Sequence, residues 1–328
     1  ATLLAGLPET VSGVTVNRLC ASGLEAVSMA ARAIKAGEGD LFITGGVESM
    51  SRAPFILPRR DGKPDDSVKP IDTTLGWRLP HPKMESLYGT DSMPQTGENV
   101  AEQFNISRED QDAFAYRSQM RVKAAKERGF FNDEIIPVSL NDGTVVSEDE
   151  HPRPNTSIEA LAGLKPFVKE DGTITAGNAS GINDGAAALL IASDAAVSQY
   201  HLKPLARIVH STAVGLEPRI MGMGPVTAVQ RLLAKTGLEL SDVDLIELNE
   251  AFASQAVAVL RGLGLPDDAV HVNPNGGAIA LGHPLGMTGA RLVTTASRQL
   301  EAMDGRYAIC TLCIGVGQGM AMLIERKK

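Results

Sequence analysis

Two thiols and one imidazole stand in glycine-rich settings that would make them chemically available. Cys20 closes the apolar run Val14-Thr15-Val16-Asn17-Arg18-Leu19 and opens Ala21-Ser22-Gly23-Leu24. His283 lies within Gly282-His283-Pro284-Leu285-Gly286, and Cys313 begins Cys313-Ile314-Gly315-Val316-Gly317. A nucleophilic thiol, a base and a second acid/base are what covalent acyl transfer needs. Cys20 precedes a helical pattern, so the helix dipole is expected to lower its pKa. Taken alone, the same cysteine also reads as a small buried hydrophobe, and His283 as a structural hydrogen-bonder.

Other motifs carry less. Cys310 and Cys313 form a C-x-x-C pair, but positions i and i+3 of a strand face opposite sides and no second cysteine pair exists, so no metal site is expected. Cys310 reads as core. Gly315-x-Gly317-x-Gly319 precedes a strand rather than a helix, unlike a dinucleotide fingerprint. Asn249-Glu250-Ala251-Phe252 is read as opening a helix, with Asn249 either a water-holding group or an N-cap.

The elements that must position these groups alternate between strand and helix. Residues 12–19 are predicted as a buried strand, 20–36 as a helix stopped by Gly37, and Leu41 to Gly46 as a second buried strand. A buried strand at 185–193 follows a long excursion. Beyond it come strand 205–214, helix 225–236, strand 243–248, helix 249–262, a strand–loop–helix over 271–302, and strands 306–313 and 318–325. The reading is a layered α/β fold with a largely covered sheet. Residues 52–176 are rich in proline and weak in periodicity apart from helices near 97–104 and 108–128, which predicts an inserted domain rather than a plain loop. Between Arg52 and Lys83 seven Lys/Arg (52, 59, 60, 63, 69, 78, 83) outnumber four Asp (61, 65, 66, 72). That segment is equally a solvated face, a lid, an assembly surface or an anion contact.

The halves echo one another: Val16-Asn17 before Cys20 matches Val272-Asn273 before His283, and Gly45-Gly46 matches Gly315-Val-Gly317. Only 16 residues precede Asn17, against 68 between Leu205 and Asn273. This predicts a first half truncated at its front by roughly 50 to 70 residues, enough for a strand–helix–strand.

Composition limits the function classes. The chain has 328 residues, 43% apolar and 21% charged, which is ordinary for a globular protein of one large domain or two. A net charge of −8 with 4% aromatics argues against a nucleic-acid partner. No apolar stretch reaches bilayer length, so no membrane partner is expected. Three cysteines in a long chain fit a reducing, cytoplasmic setting.

Together, Cys-Ala-Ser-Gly-Leu, Gly-Gly-Val-Glu-Ser-Met, Gly-Asn-Ala-Ser-Gly, Asn-Glu-Ala-Phe, Gly-His-Pro-Leu-Gly and Cys-Ile-Gly occur in the order of the thiolase family, which this chain resembles over essentially its whole length. The resemblance implies an acyltransferase of thiolase fold: two duplicated βαβαβ-type halves in an αβαβα arrangement, with residues 1–51 and 177–204 in the first half, 52–176 inserted and 205–328 in the second. It implies that Cys20 takes the acyl group as a thioester, that His283 activates it, and that Cys313 moves a proton at the acetyl carbon. His283, with a water held by Asn249, would stabilise the enolate, and the Cys20 and Gly315 amides would form a second oxyanion hole. Coenzyme A would be a co-substrate, with no tightly bound cofactor. Ser180 would contact its pantetheine arm and Arg153 its nucleotide end, Ala176 would be a further CoA-binding residue, and Met93 and Phe252 would line the acyl pocket.

Within the family, Gly89-Thr-Asp-Ser-Met-Pro94 and Asn273-Pro-Asn-Gly-Gly are most similar to members acting on 3-oxoadipyl-CoA in aromatic catabolism. Ser92 replaces a histidine that acetoacetyl-specific members tend to carry. The alternatives are an acetoacetyl-CoA or broad 3-oxoacyl-CoA enzyme, and an acyl-CoA carrier without turnover. A homodimer or homotetramer is expected by the same resemblance.

Overall fold

A computed structural model describes residues 1–58 and 69–326. Basic-segment residues Arg59, Arg60 and Lys63 therefore lie outside the described residues. The elements run α1 (Ser22–Ala36), β1 (Leu41–Ser49), β2 (Phe55–Ile56), β3 (Ile71–Asp72), α2 (Pro82–Tyr88), α3 (Met93–Gln103), α4 (Arg108–Glu127), β4 (Val138–Ser139), β5 (Val145–Val146) and α5 (Ile158–Ala162). They continue with β6 (Asp184–Ala192), α6 (Asp194–Gln199), β7 (Arg207–Gly215), α7 (Gly224–Thr236), β8 (Leu245–Leu248), α8 (Ala253–Gly262), α9 (Ala278–Leu281), α10 (Leu285–Ala302), β9 (Tyr307–Ile314) and β10 (Gln318–Glu325).

Two sheets sandwich a helical layer. The larger has order β7-β10-β9-β8, with β8 and β9 parallel and the other pairs antiparallel. Alternate side chains of these strands enter two cores. Ile246, Leu248, Ile309, Ala321 and Leu323 pack with α7 and α8, while Leu245, Cys310, Leu312, Met320 and Met322 pack with α1 and α10. On the far side of α1 and α10 lies the antiparallel pair β1–β6, in register from Leu41↔Ala192 to Ser49↔Asp184. Helix α1 forms as its spacing predicts: Leu24, Val27, Ala30 and Ala31 are buried, and Gly37 ends it at φ +76°. The closeness of α10 to α1 and to β1 depends on glycine. A Cβ on Gly23 would lie 2.7 Å from the Ala290 nitrogen, and one on Gly46 would overlap the Gly286 carbonyl oxygen.

Several sequence expectations fail. Residues 12–17 join no ladder and Val14 is 79% exposed, because strand-forming residues make a strand only where a partner edge is present. Strand β1 runs on to Ser49, and both β1 and β6 alternate rather than being fully buried: helices cover one face, while Ile43 and Val47 are exposed on the other. Helix α8 starts at Ala253, so Asn249–Phe252 form the link from β8, and the cap position is Phe252, not Asn249. Residue 271 begins no strand; only an isolated bridge pairs Val272 with Ile246. Helix α10 starts at Leu285. Among the described residues, no helix is long and apolar enough to cross a membrane.

Candidate active site

Cys20 sits in a single 3-10 turn, Leu19–Ala21, immediately before α1. The turn is locked locally. Ser22 donates its hydroxyl to the Leu19 carbonyl at 2.7 Å and accepts from the Arg18 amide at 2.9 Å, while the Asn17 side chain accepts from the Leu19 amide at 2.9 Å. Leu19 is held at φ +50°, an uncommon conformation for a branched side chain. The Cys20 thiol is pushed up to about 11 chiefly by burial, although the Gly315 and Cys20 amides hydrogen-bond it and oppose the rise. The expected lowering by the helix dipole is overturned, because loss of water costs a thiolate more than half a positive charge returns.

Cys313 is 1% exposed on β9 beside the tight β9–β10 connection, where Val316 has φ +69° and Gly317 φ +91°. Burial drives its thiol far upward, and proximity to Cys20 adds to this. Cys313 packs with Met93, Phe252, Ala251, Ile174 and Met221, whereas Cys310 joins the α1–α10 core on the opposite face. Gly315 lies beside Met93: a Cβ there would be 3.3 Å from the Met93 sulfur and 3.5 Å from Leu19. Cys20, Gly315, Cys313, Met93 and Phe252 therefore belong to one neighbourhood.

His283 is 5% exposed. Its Nδ1 lies 2.7 Å from the Thr288 hydroxyl, whose own proton goes to the Pro284 carbonyl at 2.9 Å. The hydroxyl can then only accept, so Nδ1 carries the imidazole proton and Nε2 is left as the lone pair. That lone pair faces the Asn249 amide nitrogen at 3.4 Å. Burial pushes His283 down to about 4, so the ring is neutral at ordinary pH. Asn249 Oδ1 is fully buried and has no partner among the described residues, an acceptor open to a water or substrate group.

Supporting contacts explain the loop's position. Glu48 accepts from the Gly286 amide at 2.8 Å and Asn183 from the His283 amide at 3.3 Å. The Glu48 charge also acts on Cys20, placing the histidine loop beside the α1 turn. Glu250 accepts from Ser118 (2.6 Å), Asn273 (2.8 Å) and the Ile279 amide (3.2 Å), tying α4 to the segment leading into His283. Nothing in the local sequence marks Thr288, Glu48 or Asn183, because each acts on a partner that only the fold brings near.

The expected CoA contacts are more dispersed. The Ser180 amide donates to the Ala251 carbonyl at 3.0 Å, and Ala179 bridges to Phe252, so Ser180 adjoins the neighbourhood of Phe252 and Cys313. Ala176 is exposed nearby in the chain. Arg153 is exposed and turns its guanidinium onto the carbonyls of Glu150, His151 and Pro152. Among the described residues, no polar contact joins it to the thiols. Ser92 caps α3 by accepting from the Gln95 amide at 3.3 Å.

The family model for the N-terminal domain of thiolase matches residues 1–195, and that for the C-terminal domain matches residues 202–326. A β-ketoadipyl-CoA thiolase of Acinetobacter baylyi is 61% identical over 328 residues, covering 99% of this chain and 82% of the relative. A 3-oxoadipyl-CoA/3-oxo-5,6-dehydrosuberyl-CoA thiolase of Escherichia coli K12 is 60% identical over 330 residues, with the same coverage. Human mitochondrial 3-ketoacyl-CoA thiolase, solved in complex with CoA, superposes with a TM-score of 0.91 at 42% identity, covering 99% of this chain and 80% of that one.

Proposed function

The chain belongs to the thiolase family, and on that premise we propose that Cys20, His283, Cys313, Asn249 and Gly315 divide the work of CoA-dependent cleavage of 3-oxoadipyl-CoA to succinyl-CoA and acetyl-CoA. It is an acyltransferase that acts on acyl-CoA. The substrate follows from the activity for which its 60–61% identical relatives are named.

The observation that carries the mechanism is the pairing of a protonated thiol with a neutral, oriented imidazole. With Cys20 pushed up to about 11 and His283 down to about 4, the free protein holds no thiolate–imidazolium pair. The thiol must give up its proton as its sulfur attacks the C3 ketone, with His283 Nε2 as the general base. The ketone oxygen becomes an oxyanion against the Cys20 and Gly315 amides. When the C2–C3 bond breaks, its electron pair passes to the acetyl-CoA enolate. The His283 imidazolium and a water on Asn249 stabilise that enolate, and the Cys313 thiol protonates its carbon. In the second half CoA loses its thiol proton to the Cys313 thiolate and attacks the Cys20 thioester; the acyl–sulfur bond to Cys20 breaks, the Cys20 thiolate takes its proton back from the His283 imidazolium, and succinyl-CoA leaves. Each well-aimed oxyanion donor contributes roughly 3 kcal/mol to the barrier.

The same reading puts the pantetheine arm near Ser180, the nucleotide near Arg153 and the acyl chain between Met93 and Phe252, with Ala176 a further CoA-binding residue. It divides the chain into residues 1–51 with 177–204, an insertion at 52–176 and a second half at 205–328. It also makes the protein a cytoplasmic homodimer or homotetramer. Initial rates of CoA-dependent cleavage of 3-oxoadipyl-CoA and acetoacetyl-CoA, with Cys20→Ala alongside, test it. A preference for the dicarboxylic substrate that is lost in the variant is expected. Equal or faster acetoacetyl-CoA cleavage would sink the substrate, and activity surviving in Cys20→Ala would sink the mechanism.

A further inference from the structure

A dicarboxylic acyl chain brings a second carboxylate close to Cys20. Three carbon–carbon bonds separate the attacked ketone carbon from that carboxyl carbon, a span of about 4 Å when extended. A carboxylate leaving water for such a site needs a cation, best a guanidinium that can bind both oxygens.

Most arginines near the site are already engaged. Arg18 pairs with Glu25 at 3.2 Å and donates to Gln318 at 3.0 Å. Arg219 pairs with Asp91 at 2.9 Å. Arg291 pairs with buried Glu247 at 3.0 Å. Arg78 differs. Its Nη2 donates to the Thr73 carbonyl at 2.6 Å, and among the described residues it has no carboxylate partner within salt-bridge distance.

The backbone directs it to the acyl end of the site. Asp72 accepts from the amide and hydroxyl of Thr74 at 2.8 and 2.6 Å, the chain turns at Gly76 (φ +82°), and the Arg78–Thr73 bond closes that turn. Trp77 donates its indole N–H to the Asp91 carbonyl at 3.0 Å. Asp91 is itself fixed by Asn99 (2.8 Å) and Arg219, and lies two residues before Met93, which touches Gly315. Arg78 is thus anchored through its neighbour to the wall of the acyl pocket. Burial dominates the shift of the Cys20 thiol, and of the two charges that also act on it, Glu48 raises it and Arg78 lowers it.

We propose that Arg78 is the specificity-determining residue for dicarboxylic substrates, its guanidinium receiving the distal carboxylate of the acyl chain carried to Cys20. This rests on the 3-oxoadipyl-CoA reading above. One Nη2 stays on Thr73 to hold the fork, and the other N–H groups face the carboxylate.

The test compares kcat/KM for 3-oxoadipyl-CoA and for 3-oxohexanoyl-CoA, which has the same carbon count without the charge. In Arg78→Gln the ratio of the two is expected to fall about 10- to 100-fold, the range for a charged hydrogen-bond pair. Arg78→Lys keeps a point charge without the fork, and its ratio should fall in between. Thermal unfolding of both variants guards against misfolding. An unchanged ratio, or an equal loss on both substrates, overturns the role of Arg78. A wild-type protein without preference for 3-oxoadipyl-CoA overturns the substrate reading itself, before any variant is made.

Discussion

Strand β9 reads Tyr-Ala-Ile-Cys-Thr-Leu-Cys-Ile and is buried from its second residue onward, whereas β6 reads Asp-Gly-Ala-Ala-Ala-Leu-Leu-Ile-Ala and alternates between packed and open positions. Both are apolar runs of strand length. What separates them is the number of covered faces: β9 has strand neighbours on both edges and helices on both faces, while β6 has one strand partner and helices on one face. The two regions hold the two thiols differently. Cys313 is built into the buried sheet, and Cys20 rides on a half-buried turn before α1, kept in place by local hydrogen bonds. In the proposed division of roles the covered sheet would supply the proton-handling thiol, and the more accessible turn the sulfur that must be reached.

The largest test of that contrast removes each thiol in turn. Cys20→Ala is expected to lower CoA-dependent cleavage by about 10⁴-fold or more and to abolish covalent acylation by acyl-CoA. Cys313→Ala should lower cleavage strongly yet still permit acylation of Cys20, seen by mass spectrometry of the intact protein. Acylation lost in both would break the division of labour.

Next come the sheets themselves. Leu312→Ala, at a fully buried position of β9, should cost about 3 kcal/mol by denaturant unfolding. Ile43→Ala, 61% exposed on β1, should cost about 0.5 kcal/mol or less. Equal costs would mean that β1 is covered in solution.

Smaller effects probe the histidine. Thr288→Val removes the acceptor that fixes the imidazole tautomer, and kcat should fall roughly 10- to 100-fold while the unfolding midpoint moves little. An unaltered kcat would mean that Thr288 does not orient the ring.

The finest test is pH. The folded pKa of His283, about 4, lies below the ordinary 6.5, so the folded protein resists protonating it. Protonation of the base should depress kcat/KM only as pH falls toward about 4, leaving the neutral range flat on that side. By linkage, the same group makes stability fall as pH drops through the window from 6.5 to about 4, because the unfolded chain binds the proton first. An acid limb centred near 6.5 would contradict a buried neutral imidazole.

Much of this was legible in the sequence because it is local. The α1 face, its glycine stop, β9 and β10, and the glycine-flanked Cys20, His283 and Cys313 carry their signals within a few residues. Apart from element boundaries, the misreadings concern partners. Residues 12–17 have strand propensity but no edge to pair with, and Cys20 was assigned a lowered pKa from its helix when desolvation, which depends on packing from β9 and α10, prevails. Thr288 and Glu48 sit inside regular elements, and only the folded chain shows that one orients the imidazole and the other holds the Gly286 amide.

Glu250 joins parts of the chain far apart in sequence: Ser118 on α4, Asn273, and the first turn of α9 at Ile279. A buried carboxylate with three donors cannot release one of them without leaving charge or dipole unmatched, so these segments should open together rather than fray independently. Amide exchange at Gly277, which donates to Ser118, and at Ile279 would then report a single opening event. Substitutions on α4 well away from either thiol would change how often the histidine loop is intact, and so the fraction of molecules competent to turn over.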